Sequence, residues 1–239
     1  METALTVLRL LPWGDWAALL FFIGSWAGYA SFAKRRSATH PSVLASTNRI
    51  RRQWMLQATH REVRVFDGVV IQNLSTSPSF FASTTILVIG GLLAVLGTSE
   101  QATELVREIP FAARTSVLVF DLKVVLLLVI FVYAFFRFTW SMRQYTFGAL
   151  LVAAAPESRQ LDERGAEGEA WRQAFAERAG RIVGLAAETF NDGLRAYYFA
   201  FAAIGWFFSP LLFALASAVI VYILYQREFR SIVLGALNA

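Results

Sequence analysis

Ala196 to Gln226 is a stretch of 31 residues without one charged side chain. Few environments accept such a run. A helix on the surface of a soluble domain needs a polar face, whereas about 20 apolar residues suffice to cross the roughly 30 Å hydrocarbon core of a bilayer. As a single helix the stretch would be about 46 Å long at 1.5 Å per residue. It is expected to form one tilted or projecting span, kinked near Pro210, rather than two half-length spans. Tyr197, Tyr198, Tyr222 and Tyr225 fit its two interfaces.

Three other stretches follow the same pattern. Trp13 to Ala33 holds only Asp15, with Trp13 and Trp16 at one end and Lys34, Arg35 and Arg36 closing the other. Phe80 to Gly97 is uncharged, and Thr115 to Phe136 carries only Asp121 and Lys123. The runs predict spans at about 13–33, 80–97, 115–136 and 196–226. The start of the chain lacks a basic region and a small-residue cleavage site, so it reads as a retained span and not a signal peptide. Charged residues make up 16% of the chain and mean hydropathy is +0.50, whereas a soluble domain is about a quarter charged. The expected fold is all-α: one polytopic membrane domain over residues 1–239, with cytoplasmic amphipathic helices and helix extensions.

The first cytoplasmic segment is expected at about 46–77, capped by Ser46 or Thr47. Ile50, Trp54, Ala58, Val65 and Val69 recur at helical spacings, and Arg64 could pair with Asp67. Pro78 lacks a backbone donor and disfavours helix before it, so a break is predicted there, with Ser75, Ser77 or Ser79 capping the next element. The second segment, about 167–192, shows a stripe of Trp171, Phe175, Ala179, Ile182, Ala186 and Thr189. Thr98–Arg114 and Glu157–Gly168 read as loops, the latter mobile. The helix of the third span continues past Arg137 and ends before Pro156.

Lysines and arginines favour the cytoplasmic side of spans. With the first span exiting inward, sixteen of them lie inside and five outside, Arg9, Arg107, Arg114, Arg227 and Arg230, with Lys123 in a span. That count predicts a protein of the cytoplasmic (inner) membrane with both termini outside.

The stretches RRQWM…REVRVFDG, SPSFFASTT, FRFTWSMRQYTFGALLVAAAP and RAYYFAFAAIGWF lie between Arg51 and Phe207. In order and wording they resemble the signatures of the domain-of-unknown-function family numbered 599. The resemblance implies a small multi-span membrane protein. It implies no activity, since the family has none assigned.

Chemistry is sparse. There is no cysteine, and His40 and His60 are the only histidines. No HExxH, paired metal-ligand spacing, phosphate-binding glycine loop or GxSxG elbow occurs. No catalytic residue, metal site or cofactor is expected, and the chain does not read as an enzyme. The net charge of +5 would suggest nucleic acid in a soluble protein. Here the basic residues flank spans, so the expected partners are the bilayer, including anionic lipids, and further copies of the chain. Arg61, Arg64, Arg137 and Arg143 are candidate anion or lipid contacts. Arg137 and Arg143 also have an internal alternative, pairing with Asp67, Glu188 or Asp192. Asp67, Asp15, Asp121 and Lys123 are candidate charge partners, with Lys123 expected near Asp15 or Asp121 of another span or copy. Ser79, Ser83 and Thr84 are a candidate polar lining, although hydroxyls in spans also bond their own helix. Together these residues predict a channel- or transporter-like homo-oligomer with a polar path near the start of the second span. The alternative is a membrane scaffold or accessory subunit that binds a partner through its basic cytoplasmic helices.

Overall fold

The computed structural model describes residues 11–108 and 116–238, and among these every regular element is helical. In chain order the elements are α1 (Trp13–Ser37), α2 (Val43–Thr59), α3 (Val65–Gly97), α4 (Ser99–Glu108), α5 (Val117–Ala153), α6 (Ser158–Asp162) and α7 (Ala166–Ile204). A 3-10 turn (Gly205–Phe207), α8 (Pro210–Phe229) and α9 (Ile232–Asn238) follow. Four helical stretches are long and apolar enough to cross a membrane: α1, α3, α5 and Pro210–Asn238. The chain is an all-α membrane protein.

The residues fall into two compact units. The first takes residues up to Arg36, Thr84–Ala134 and Leu194–Arg227. The second takes Ser37–Ser83, Phe135–Gly193 and the residues from Glu228 on.

The first unit is built on aromatic packing. Phe22 on α1 lies fully buried, with ring centroids 5.5 Å from Phe199 of α7 and 4.8 Å from Phe213 of α8. Trp26 stacks on Phe199 at 5.5 Å, and Trp206 stacks on Phe213 at 5.3 Å. Arg227 donates to the Tyr198 hydroxyl although 29 residues separate them. On one continuous helix those residues would be about 43 Å apart. The uncharged stretch is therefore a hairpin, turned at Gly205–Ser209, and not the single kinked span expected over 196–226. The excess of length over a single crossing is accounted for by two antiparallel arms.

The second unit is held by helices in close approach. Gly180 and Gly184 of α7 face α2: a Cβ at Gly180 would lie 2.9 Å from Arg52 Cα, and one at Gly184 would lie 3.0 Å from Asn48 Oδ1. Asn48 donates to Glu188 at 3.1 Å, and Arg52 lies 3.7 Å from Glu177. The pairings descend on one helix as they rise on the other, so α2 and α7 are antiparallel. Gly148 of α5 meets Val183, and Ser141 donates to the Ala186 carbonyl at 2.7 Å. The core between these helices contains Met55, Ile71, Tyr145, Val152, Phe175, Ala179 and Val183.

Several local expectations change. Pro78 does not break the chain; it sits inside α3, buried. Unwinding within an apolar run would expose several backbone groups with no water to meet them, whereas continuing forfeits one donor. Ser75 and Thr76 bond back to the Gln72 carbonyl instead of capping a new helix. The break falls at residues 60–64, where arginine side chains satisfy the freed carbonyls. That break separates the segment expected at 46–77 into two helices, and Val65 and Val69 emerge exposed. Ser42, not Ser46 or Thr47, caps α2, accepting from the Ala45 N–H at 3.1 Å. The loop expected over 98–114 contains α4, and its residues 109–114 lie outside the described residues. The one expected over 157–168 contains α6 with buried Leu161, and turns through Gly165 at φ 55.

The last helix is tied to α2. The Leu44 N–H donates to Glu228 at 3.1 Å, and the Ser46 hydroxyl donates to Asn238 at 3.0 Å, so α9 lies on α2. Trp13 and Ser37 are opposite ends of one 25-residue helix.

Candidate functional site

Three arrangements gather the polar residues of the chain. The first is an arginine clamp in the second unit. Asp67, fully buried in the first turn of α3, accepts from Trp54 Nε1 at 2.7 Å and from Arg61 on the same oxygen. A carboxylate there also faces the positive end of the helix. Arg64 does not pair with Asp67 as expected. The bend at residues 60–64 turns it toward backbone: it donates to Ala58 at the end of α2, at 3.0 Å, and to Ala155 (2.7 Å) and Pro156 just beyond α5. Burial draws the Arg64 guanidinium below its ordinary pKa, and Asp67 pulls the other way. Arg172, 2% exposed, donates to the Thr59 carbonyl, to the Ser158 carbonyl at 3.1 Å and to Asp162 at 2.6 Å. Cations on carbonyls at helix ends satisfy orphan acceptors and oppose the helix dipole. Arg137 pairs with Asp192, the internal alternative. Arg61, Arg64 and Arg137 are thus engaged within the protein. Of the four candidate anion contacts, Arg143 alone is exposed, its guanidinium 5.9 Å from the Phe147 ring.

The second arrangement lies in the first unit. Trp206 donates from its indole nitrogen to Asp15 at 2.6 Å. The Lys123 ammonium, 2% exposed, sits 5.7 Å from the Trp206 ring and 5.8 Å from Phe207. Asp15 meets the indole N–H and Lys123 lies over the ring, rather than the two forming a direct ion pair. Cation–π attraction grows where water is excluded. Asp121 does not join them; among the described residues its buried Oδ1 has no hydrogen-bond partner.

The third is the outward face of α3. Residues three and four apart share a helix face, and Gln72, Thr76, Ser83, Leu87, Gly90, Ala94 and Gly97 are all exposed along one. Ser79, on the same face, is half-buried. Leu87 is the one large apolar residue on that line, and Val69, Phe80, Ile86 and Leu93 are exposed beside it. Thr84 sits about 100° round from Ser83 and is half-buried, so the structure separates it from that face. Thr85 is buried and bonded to the Tyr197 hydroxyl at 2.7 Å. The exposed line of α5 carries larger apolar residues throughout: Leu118, Val125, Val129, Tyr133, Phe136 and Trp140. Only 11% of the most apolar window of α3 is buried, against 39% for α5. Among the described residues no group of three His, Cys, Asp or Glu could hold a metal.

These segments include the motifs between Arg51 and Phe207, and a family model described as "Protein of unknown function, DUF599" matches residues 17–233. The chain belongs to the DUF599 family. No curated protein and no solved structure matches it. In this DUF599 chain the stretch RRQWM…REVRVFDG supplies Trp54, Arg61, Arg64 and Asp67, so one of its most recognisable motifs builds the clamp. Sequence reasoning missed three residues. Arg172 lay within a charged face, and nothing local marks its burial. Gly180 and Gly184 did carry a signal, the G-xxx-G spacing that permits close helix approach.

Proposed function

We propose that this DUF599 protein is a homo-oligomeric channel- or transporter-like protein, not an enzyme, whose copies meet along the outward face of α3. The contrast between α3 and α5 supports this reading. Both are membrane-length helices. A face of Val, Phe and Trp, as on α5, suits lipid. A face of Gln72, Thr76, Ser83, Gly90 and Ala94 offers lipid little apolar surface, and a Gln72 amide in hydrocarbon is costly. Small residues toward Gly97 permit close helix contact, and the polar residues toward Gln72 would line a shared axis. The buried Lys123 and Asp15 are the kind of intramembrane charges that mark solute pathways. Anionic headgroups of the inner leaflet are the proposed neighbours of the exposed cytoplasmic arginines.

Reconstituted vesicles test the proposal. Anion and cation flux above that of empty vesicles is expected, and Ser83→Leu should lower it about tenfold or more by closing a hydrated path. Phe136→Leu on the lipid-type face should leave it unchanged. Wild-type vesicles indistinguishable from empty ones would remove the channel reading. The proposed orientation places α2 and the C-terminus in the cytoplasm of a bacterial-type inner membrane. A cysteine at Glu104 should react with an impermeant thiol reagent from outside, and cysteines at Arg164 and Asn238 should react only after permeabilisation. The reverse labelling would overturn the orientation.

A scaffold role is the second reading, favoured by one observation: Val63, Val65 and Phe66 stand exposed together at the α2–α3 corner. A flux-negative protein that stays in a larger complex unless Phe66→Ser is introduced would support it.

A further inference from the structure

Within the second unit, α5 and α7 leave an open groove of about 480 Å³ lined by Phe147, Leu150, Leu151, Ala154, Arg178 and Ile182. That volume falls in the roughly 300–1,000 Å³ range of small-molecule sites. Five of the six lining residues are apolar, and the sixth is a cation.

The arginines of this unit differ in their engagement. Arg52, Arg61, Arg137 and Arg172 are ion-paired, and Arg64 is bonded to three carbonyls. Among the described residues Arg178 and Arg143 have neither an ion pair nor a hydrogen bond. Arg178 lines the groove, and Arg143 lies against Phe147, which also lines it. An apolar trough with unmatched positive charge beside it complements a ligand with an apolar body and an anionic end.

Size and continuity choose among such ligands. A stable protein partner buries about 800 Å² on each side, more than six residues of one groove can offer. The groove also continues the outward face of α5. Tyr133, Phe136, Trp140, Arg143, Phe147, Leu150 and Ala154 are exposed at alternating steps of three and four, so a track that is apolar but for Arg143 joins the membrane-spanning part of α5 to the groove. An amphiphile that partitions into the bilayer therefore has a path to it.

We propose that this groove binds a single-chain anionic amphiphile, a long-chain fatty carboxylate, with its chain along Phe147, Leu150, Ala154 and Ile182 and its carboxylate on Arg178 in the field of Arg143. The site does not depend on the channel reading, which concerns α3.

The test uses the full-length protein in phosphatidylcholine nanodiscs and a 16-carbon fatty acid bearing a diazirine near its end. Photolabelling should map to 147–154 and 182, be competed by palmitate and resist competition by hexadecanol. Arg178→Gln should reduce labelling about tenfold, as expected for the loss of one charge-assisted contact. Ala154→Phe should abolish it by filling the trough, and Arg164→Gln, an exposed arginine on the α6–α7 turn, should change nothing. Melting curves matching wild type establish that the Arg178 and Ala154 variants are folded. Arg178 is exposed, so its variant keeps the test valid if Ala154→Phe unfolds. Labelling confined to the membrane-spanning part of α5, equal competition by hexadecanol, or labelling indifferent to Arg178→Gln would each overturn the proposal. So would a cross-link from the groove to a second copy of the chain.

Discussion

Replacing Arg172 with alanine is expected to destabilise the second unit by about 3–5 kcal/mol. The estimate rests on what remains behind. Arg172 is nearly fully buried, and its fork meets the carbonyls of Thr59 and Ser158 and the carboxylate of Asp162. Asp162 is 67% exposed and can turn to water, so its loss of a partner costs little. The two carbonyls have no such recourse, and an unsatisfied buried acceptor costs about 1–3 kcal/mol. The arginine stem also fills space that alanine leaves empty. Arg172→Lys should recover only part of the loss, because a single ammonium cannot reproduce the two-pronged geometry. Melting of the purified protein in detergent gives the size of the effect. Hydrogen exchange gives its place: amides at 58–62 and 158–164 should lose protection first. If alanine and wild type melt together, the clamp contributes no stability.

The readability of this chain divides by physical cause. A helix in a bilayer must be apolar along its length whatever its neighbours are, so Phe80–Gly97 and Thr115–Phe136 declare their class from composition. Arginine carries no such constraint. Arg61, Arg64, Arg137 and Arg143 look alike in the sequence, yet one meets a carboxylate at a helix start, one meets three carbonyls, one pairs across helices and one stands exposed. Which applies depends on elements up to 92 residues away, as Arg64 and Pro156 show. Pro78 is the opposite case, a strong local rule overridden because the apolar run makes unwinding more costly than one lost donor. The hairpin at Gly205–Ser209 had a legible signal in the surplus length of the uncharged stretch. The candidate lining was half legible. The spacing of Ser79 and Ser83 is a sequence fact, but that Thr84 turns away while Gln72, Thr76 and Gly90 share the outward face follows only from the unbroken helix.

Gly180→Leu is expected to have the second large effect, separating α2 from α7 at a cost of about 3 kcal/mol or more. In an exposed helix, replacing glycine gains close to 1 kcal/mol of propensity, so a neutral site would be stabilised. Gly180 is not neutral. The first carbon added would lie 2.7 Å from Arg52 Cγ, 2.9 Å from Arg52 Cα and 3.2 Å from Arg52 N. A side chain can swing aside, but the backbone of α2 cannot do so without moving the helix. Overpacking against side chains costs about 1–3 kcal/mol, and a branched four-carbon side chain pressed on backbone exceeds that range. Two comparisons isolate the cause. Gly184→Ala has the Asn48 side chain as its nearest neighbour, at 3.0–3.5 Å, and should be much milder. Shortening Arg52 to alanine removes Cγ and leaves Cα and N in place, so Arg52→Ala should fail to rescue Gly180→Leu. Rescue by that second substitution would mean that a side chain, and not the approach of two backbones, sets the spacing. Hydrogen exchange along α2 then reads the outcome directly. In Gly180→Leu the amides of Ser46–Thr59 should exchange in the folded protein, while those of α5 within the same unit stay protected longer. Uniform loss of protection across both helices would show that the unit melts as one.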